Sequence, residues 1–247
     1  MTIQNVMIIG GTSGIGLGLA RHYAGRGARV AVCGRHPDKV AGLPLMLDGR
    51  VTAHACDIAD RDRVAAVVAD FAADGLDLLI VTAGQYTDAA AIGRDPAATL
   101  PVLRVNVGGL DHAFSAGAGA MMARGQGHLV AVASIAGLQR DYPGGSVYSA
   151  SKRAAIAICD AYRKALAPFA IAVTVVVPGY VDTARLRELN GGDASGKPFL
   201  MSEDEAVQRI AAAIARRDER YVFPWQIHAL VRLFNLLPPA LKRLRKK

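Results

Sequence analysis

Short apolar, β-branched runs alternate along the chain with longer Ala-rich stretches of mixed polarity. The runs are Val6–Ile9, Arg29–Cys33, Val51–Ala55, Leu76–Thr82, His128–Ala133, Ala170–Val177 and Tyr221–Phe223. The stretches between them predict helices over Ile15–Ala24, Arg61–Ala73, a segment around Leu100–Arg124, Tyr148–Phe169 and Glu203–Arg216. Runs that are continuously apolar rather than alternating belong to strands buried on both faces. Their regular alternation with helices predicts an α/β, doubly wound, mostly parallel sheet of seven strands with right-handed crossovers and helices on both faces. No internal repeat or linker interrupts the pattern, so residues 1–223 read as one Rossmann-type domain and 224–247 as a C-terminal extension.

Two segments depart from the alternation. Ala184–Ser202 holds Asn190, Gly191, Gly192, Gly196 and Pro198 without clear periodicity and predicts a mobile loop. It follows the sixth strand, at the carboxyl edge where open α/β sheets bind ligands, and is the expected substrate loop. The second is the extension, in which Ile227, Leu230, Val231, Phe234 and Leu237 fall on one helical stripe. His228, Arg232 and Asn235 fall away from that stripe, Pro238-Pro239 ends it, and Leu241–Lys247 adds five basic residues.

Composition narrows the class. The chain has 247 residues, 52% hydrophobic and 20% charged, which excludes a disordered protein. Cys33, Cys56 and Cys159 are too few and too scattered for a disulfide framework or a Cys-based zinc site, and no metal site is expected. Met1 runs almost directly into Val6–Ile9 with no basic leader, so the expected location is cytoplasmic. The net charge of +8 is confined to the end of the chain. From Gln208 to Lys247 ten Lys or Arg face two acids, whereas residues 1–207 carry 19 of each sign. The basic balance therefore describes the tail and not the domain.

The candidate chemistry begins after the first strand, at Gly10-Gly11-Thr12-Ser13-Gly14-Ile15-Gly16. Glycines there let the backbone turn sharply and approach a pyrophosphate, and the following helix aims free N–H groups at it. Glycines also make ordinary strand–helix turns, but this one stands where the dinucleotide fingerprint belongs. The second strand ends at Cys33-Gly34-Arg35-His36, with no acid for the ribose hydroxyls of NAD(H). Arg35 can instead meet a 2′-phosphate, which favours NADP(H); the alternative is a solvated strand-end Arg. Asp57, after the third strand, could meet an adenine amino group or cap its own turn.

Further along, Tyr148 and Lys152 are four residues apart and share a helix face. A phenol with an ordinary pKa near 10 is a poor acid at neutral pH, and a neighbouring ammonium lowers that value by stabilising the phenolate. Such a phenol can give a proton to a carbonyl, or take one from an alcohol, as hydride moves. Ser134, at the end of the fifth strand, can hydrogen-bond a substrate oxygen.

Together these residues resemble the classical short-chain dehydrogenase/reductase family over about residues 3–223. The elements in common are Gly10, Gly14 and Gly16, Ser134, Tyr148-Ser149-Ala150-Ser151-Lys152 and Pro178-Gly179-Tyr180-Val181-Asp182-Thr183, in order and at the family's spacings. The resemblance implies Tyr148 as general acid/base. It implies Lys152 as the cation that tunes Tyr148 and holds the nicotinamide ribose, and Ser134 as the group orienting the carbonyl. Asn106 would hold a water linking Lys152 to solvent. Thr12, Ser13 and Ile15 belong to the phosphate turn. Asp57 and Ile58 match the adenine pocket, Ala83 and Gly84 the turn after the fourth strand, and Pro178, Gly179, Val181 and Thr183 the stretch beside the carboxamide and pyrophosphate. The chain departs from the family in two places: Ile9 stands where the family has Thr, and Val81-Thr82 where it has Asn-Asn. Both bear on loop rigidity and cofactor affinity rather than on reaction class, and Thr82 still offers a hydroxyl.

The resemblance thus implies an NADP(H)-dependent oxidoreductase acting on a secondary alcohol or ketone, with an apolar, acyl or lipid-derived carbonyl as substrate and a homo-oligomeric assembly. Its rival is a dinucleotide-binding sensor or scaffold without turnover, and the four filled catalytic positions favour the enzyme. For the extension, one reading is a helix packed on the domain or on a partner subunit. The other is an interfacial helix with a polybasic anchor on anionic membrane. A basic cluster poor in aromatics, with no reading motif, argues against nucleic acid.

Overall fold

The computed structural model describes residues 3–46, 49–87, 89–139 and 146–237. Seven strands form one parallel sheet: β1 (Asn5–Ile9), β2 (Arg29–Gly34), β3 (Val51–Ala55), β4 (Leu78–Val81), β5 (Gly127–Val132), β6 (Ile171–Pro178) and, last in sequence, β9 (Arg220–Phe223). Their order is β3-β2-β1-β4-β5-β6-β9, every pairing is parallel, and the order reverses between β1 and β4. Two short strands, β7 (Val181–Asp182) and β8 (Met201–Ser202), pair with each other outside it.

The central strands are buried on both faces because each has a helical layer on either side. Met7, Ile9, Leu79 and Val81 pack with residues of α2 (Arg61–Ala72), α5 (Leu110–Met122) and α6 (Val147–Leu166). Val6, Ile8, Leu78 and Ile80 pack on α1 (Gly14–Ala24) and α8 (Glu203–Arg216). Side chains of a strand point alternately to opposite faces, so a strand inside two layers is apolar on both, as Val6–Ile9 and Leu78–Val81 are. Polar caps start the helices: Asp60 accepts the Arg63 N–H at the head of α2, Ser146 that of Ser149 in α6, and Ser202 that of Glu205 in α8. Each satisfies an N–H left without an intrahelical partner.

Three expectations are corrected. The stretch around Leu100–Arg124 is not one helix. Beyond the short α3 (Ala89–Arg94) it begins as α4 (Thr99–Leu103), widens into a π-helical turn over Arg104–Gly109, and resumes as α5. Second, Ala184–Ser202 is not wholly loop: it opens with α7 (Ala184–Glu188), capped by Thr183 Oγ1 on the Leu186 N–H at 3.2 Å, and closes on β8. Elements of five and two residues are too short to show a period. Third, the extension forms α9 (Trp225–Leu236), but rotated from the expected stripe. Ile227 and Val231 are buried against Ile135, Leu138, Tyr180 and Val222, and Asn235 Nδ2 donates to the Leu138 carbonyl at 2.8 Å. Asn235 is therefore on the packed side, while Leu230 is exposed. Residues 238–247, with the basic run, lie outside the described residues.

Candidate active site

The glycine turn leaves β1 at the point where the strand order reverses, which is where doubly wound sheets bind ligands. Gly10 has φ +96°, a conformation that L side chains rarely adopt. A Cβ on Gly16 would overlap the Gly10 carbonyl and lie 2.5 Å from Thr82 Oγ1. Thr82 Oγ1 donates to the Gly10 carbonyl at 3.0 Å, so this hydroxyl ties the turn to the end of β4. It does so from one of the two positions where the resemblance expects Asn. At the head of α1 the N-cap, Ser13, makes no side-chain bond to the helix N–H groups.

Gly34 lies so close to Thr12 that a Cβ there would sit 2.7 Å from Thr12 Oγ1. Arg35, next along, is exposed at the end of β2, with no ion pair among the described residues. Asp57 caps its own turn, Oδ1 accepting the Ala59 N–H at 2.9 Å, while Ile58 is buried in the core. These three positions edge the sheet beyond the cleft described next. The glycine cradle and the cationic β2 end fit a phosphate-bearing dinucleotide, and among the described residues no carboxylate directly follows β1 or β2 at its carboxyl end.

A cleft of about 470 Å³ opens over the carboxyl ends of β4, β5 and β6. Ser134, Tyr148 and Lys152 converge in it, with Gly84 and Ile15 on one side and Pro178, Gly179, Val181 and Thr183 on the other. Thr183 also links this wall to the phosphate turn: a Cβ on Gly14 would lie 3.6 Å from Thr183 Cγ2. From the expected substrate loop Arg185, Leu186, Leu189, Asn190 and Lys197 line the cleft, joined by Gln139, Ser146 and Tyr180; 140–145 lie outside the described residues.

Asn106 sits in the π-helical turn just beneath the cleft and is 4% exposed. Its Oδ1 accepts the Gln85 N–H at 2.7 Å; its Nδ2 donates to the Gln85 carbonyl and to Ser151 Oγ, both at 2.9 Å. Ser151 Oγ in turn donates to the Tyr148 carbonyl at 2.8 Å. Asn106 thus joins the segment after Ala83 and Gly84 to the first turn of α6. A Cβ on Gly84 would lie 3.3 Å from Lys152 Nζ and 3.6 Å from Asn106 Oδ1, so both groups border the space beside this glycine.

The protonation of the pair differs from expectation. Burial raises the Tyr148 phenol above its ordinary pKa; a hydrogen bond with Ser134 offsets part of this and Tyr86 adds to it. Lys152 does not pull the phenol down. Its Nζ lies 5.9 Å from the centre of the Tyr148 ring and donates to the Val132 carbonyl at 3.0 Å. Burial brings the ammonium itself down to about 8. Ser134, whose Oγ also accepts the Ala136 N–H at 3.2 Å, is thus the direct polar partner of the phenol.

Sequence reasoning missed Tyr86 and reached Lys197 only as part of the 184–202 loop, without singling it out. Tyr86 packs edge-on to Tyr148, ring centres 5.2 Å apart, and Lys197 Nζ lies 5.6 Å from the Tyr180 ring centre at the cleft wall. Neither belongs to a spaced motif; only the turn after β4 and the loop before β8 could have pointed to them.

A parallel sheet with a glycine cradle at its reversal point, and a Ser–Tyr–Lys cluster one strand further on, defines a Rossmann-type oxidoreductase. The sequence model of the family described as short chain dehydrogenase matches residues 4–194, and the chain belongs to that family. An uncharacterized oxidoreductase of Mycobacterium tuberculosis is 31% identical over 252 residues, covering 98% of this chain and 97% of its own. Dehydrogenase/reductase SDR family member 7B of Bos taurus is 31% identical and covers 96% of this chain. Among solved structures, a short-chain dehydrogenase from Burkholderia cenocepacia in complex with NADP superposes over all of both chains, with TM-score 0.82 and 26% identity. Among the described residues, no helix is long and apolar enough to cross a membrane.

Proposed function

We propose that the protein is an NADP(H)-dependent carbonyl reductase or secondary-alcohol dehydrogenase. The observation that carries this reading is the convergence of Ser134, Tyr148, Lys152 and Asn106 around one cleft, next to the glycine cradle. When bound, the nicotinamide supplies the hydride that adds to the carbonyl carbon. Tyr148 gives its proton to the carbonyl oxygen in the same direction, and in reverse takes it from the alcohol. Burial keeps the phenol protonated until an oxygen beside it gains charge, so it serves as an acid at neutral pH. Ser134 points its hydroxyl at the same oxygen as the phenol and fixes the carbonyl between them. Lys152 holds the ribose hydroxyls, and Asn106 sets the backbone past which a proton returns to Lys152.

The preference for NADP(H) over NAD(H) rests on Arg35, exposed directly after Gly34 at the carboxyl end of β2, where a 2′-phosphate would meet its guanidinium. The cleft wall joins Leu186, Leu189 and Tyr180, which suits a ketone with a sizeable apolar or acyl portion. The NADP held by the bacterial structure supports the cofactor assignment, and the bovine relative's name supports the reaction class; a homo-oligomer is the proposed assembly. Tyr148→Phe tests the reading. Carbonyl-dependent NADPH oxidation should fall by at least a hundredfold, the low end of what a positioned acid contributes, with NADPH affinity retained. Turnover by Tyr148→Phe within a few-fold of the parent would refute it.

A further inference from the structure

We propose that α9 is a docking face for an anionic phospholipid surface. Three independent observations converge on it. First, α9 is apolar on two sides, and the domain covers only one. At 100° per residue, Trp225, Ala229, Leu230, Leu233 and Leu236 fall on a continuous arc of about 140° opposite Ile227 and Val231. Trp225 is 73% exposed, Leu233 62% and Leu236 81%; Gln226, half-buried, is the polar residue within the arc.

Second, the boundary between the packed and exposed sides is cationic. A cleft of about 690 Å³ runs between α9, α6 and β9, lined by Arg153, Arg220, His228 and Arg232 over Ile156 and Val222. Arg220 is paired to Asp160 at 2.7 Å, so the cleft is a partly neutralised cationic shelf beside an apolar ridge. That is the order of groups met by a lipid headgroup and its acyl chain. Third, the chain continues from α9 into Lys242, Arg243, Arg245, Lys246 and Lys247. From Pro224 onward it carries six Lys or Arg and no acid.

Charge decides the occupant. A second copy seated on the same face would bring two such segments together, each with six cations and no counter-charge. An anionic leaflet attracts each cation. The wall behind α9 is formed partly by Ile135 and Tyr180, which also line the active cleft, so docking would set the cleft near the lipid surface.

The test is co-sedimentation of the full-length protein with vesicles of phosphatidylcholine and phosphatidylglycerol, and with phosphatidylcholine vesicles alone. Binding is expected to the anionic vesicles and to weaken as salt rises. The variant Leu233→Ser/Leu236→Ser should partition about tenfold less per leucine. Lys246→Gln/Lys247→Gln should partition roughly fivefold less per cation. Thermal unfolding of both should match the parent, since the leucines are exposed. No binding to anionic vesicles would overturn the proposal. So would binding indifferent to the leucine pair. A solution dimer that the leucine variant dissociates, with no vesicle binding, would assign the face to a second copy instead.

Discussion

Asn106 offers the sharpest test of how the site is held together. Asn106→Ala removes three hydrogen bonds of 2.7, 2.9 and 2.9 Å and leaves Gln85 N–H, Gln85 carbonyl and one side of Ser151 Oγ without partners in a region where Asn106 itself is 4% exposed. A net bond is worth about 1 kcal/mol and an orphaned buried group costs more. Gln85 is half-buried and can recover water, so the loss should be about 3 kcal/mol. For a chain of this size that lowers Tm by roughly 6–12 °C. Turnover should drop as well, because the same side chain sets the backbone beside Lys152. Asn106→Asp separates the two effects. It keeps the acceptor for the Gln85 N–H but places a carboxylate near Lys152 Nζ, which should raise the Lys152 pKa from about 8 and move the alkaline limb of the pH–rate profile upward. Differential scanning calorimetry and a pH profile on both variants decide it. An Asn106→Ala protein melting within 2 °C of the parent, a deficit of under about 1 kcal/mol, would refute the bridging role.

Gly16→Ala should abolish measurable dinucleotide binding, because the added methyl meets the Gly10 carbonyl and Thr82 Oγ1; isothermal titration with NADPH checks it. Arg35→Ala should weaken NADPH by about ten- to a hundredfold, the range of a charge-assisted bond, and leave NADH nearly unchanged; a wild type that binds NADH more tightly would contradict it. His128 predicts acid lability. Thr174 Oγ1 commits its proton to the Asp218 carbonyl, so His128 Nε2 donates to Thr174 at 2.8 Å, and burial pulls the ring down to about 4. The unfolded ring titrates at 6.5 and binds a proton first, so its contribution is intact above pH 6.5 and lost as pH falls toward 4. The loss reaches roughly 3 kcal/mol. Unfolding curves across that window should show the slope, and His128→Gln should flatten it.

The sheet was legible because its central strands are apolar on both faces, the mutually bonded His128 and Thr174 excepted. Tyr148 and Lys152 were legible for a comparable reason, since four residues on a helix fix two side chains on one face whatever surrounds them. Asn106 was nameable by resemblance, but its surroundings were not readable. The widened turn at Arg104–Gly109 has no periodic signature, and its partners are the backbone of Gln85 and a serine 45 residues away. The sign of the Tyr148 shift failed for a related reason. Spacing placed an ammonium nearby; only the fold shows that this ammonium is itself buried, bonded to the Val132 carbonyl and 5.9 Å from the ring centre.

The rotation of α9 carries the argument furthest. A helix with apolar residues on one stripe has one way to pack. Trp225–Leu236 has apolar residues at eight of its twelve positions, so hydrophobicity alone leaves its phase open. What selects the phase is one hydrogen bond and one steric fit: the Leu138 carbonyl accepts from Asn235 Nδ2, and Gly179 leaves room for Ile227, whose Cγ2 would lie 3.1 Å from a Cβ there. Turning the expected stripe inward would have buried Leu230 at the cost of that bond. The consequence is that satisfying one carbonyl leaves Trp225, Leu230, Leu233 and Leu236 facing outward, a surface that soluble monomers rarely present without a use. The hydrogen bond that fixes the helix is thus also what exposes its second apolar side. Asn235→Leu, by removing the polar bias, should lessen vesicle binding if α9 turns, even though it adds an apolar side chain.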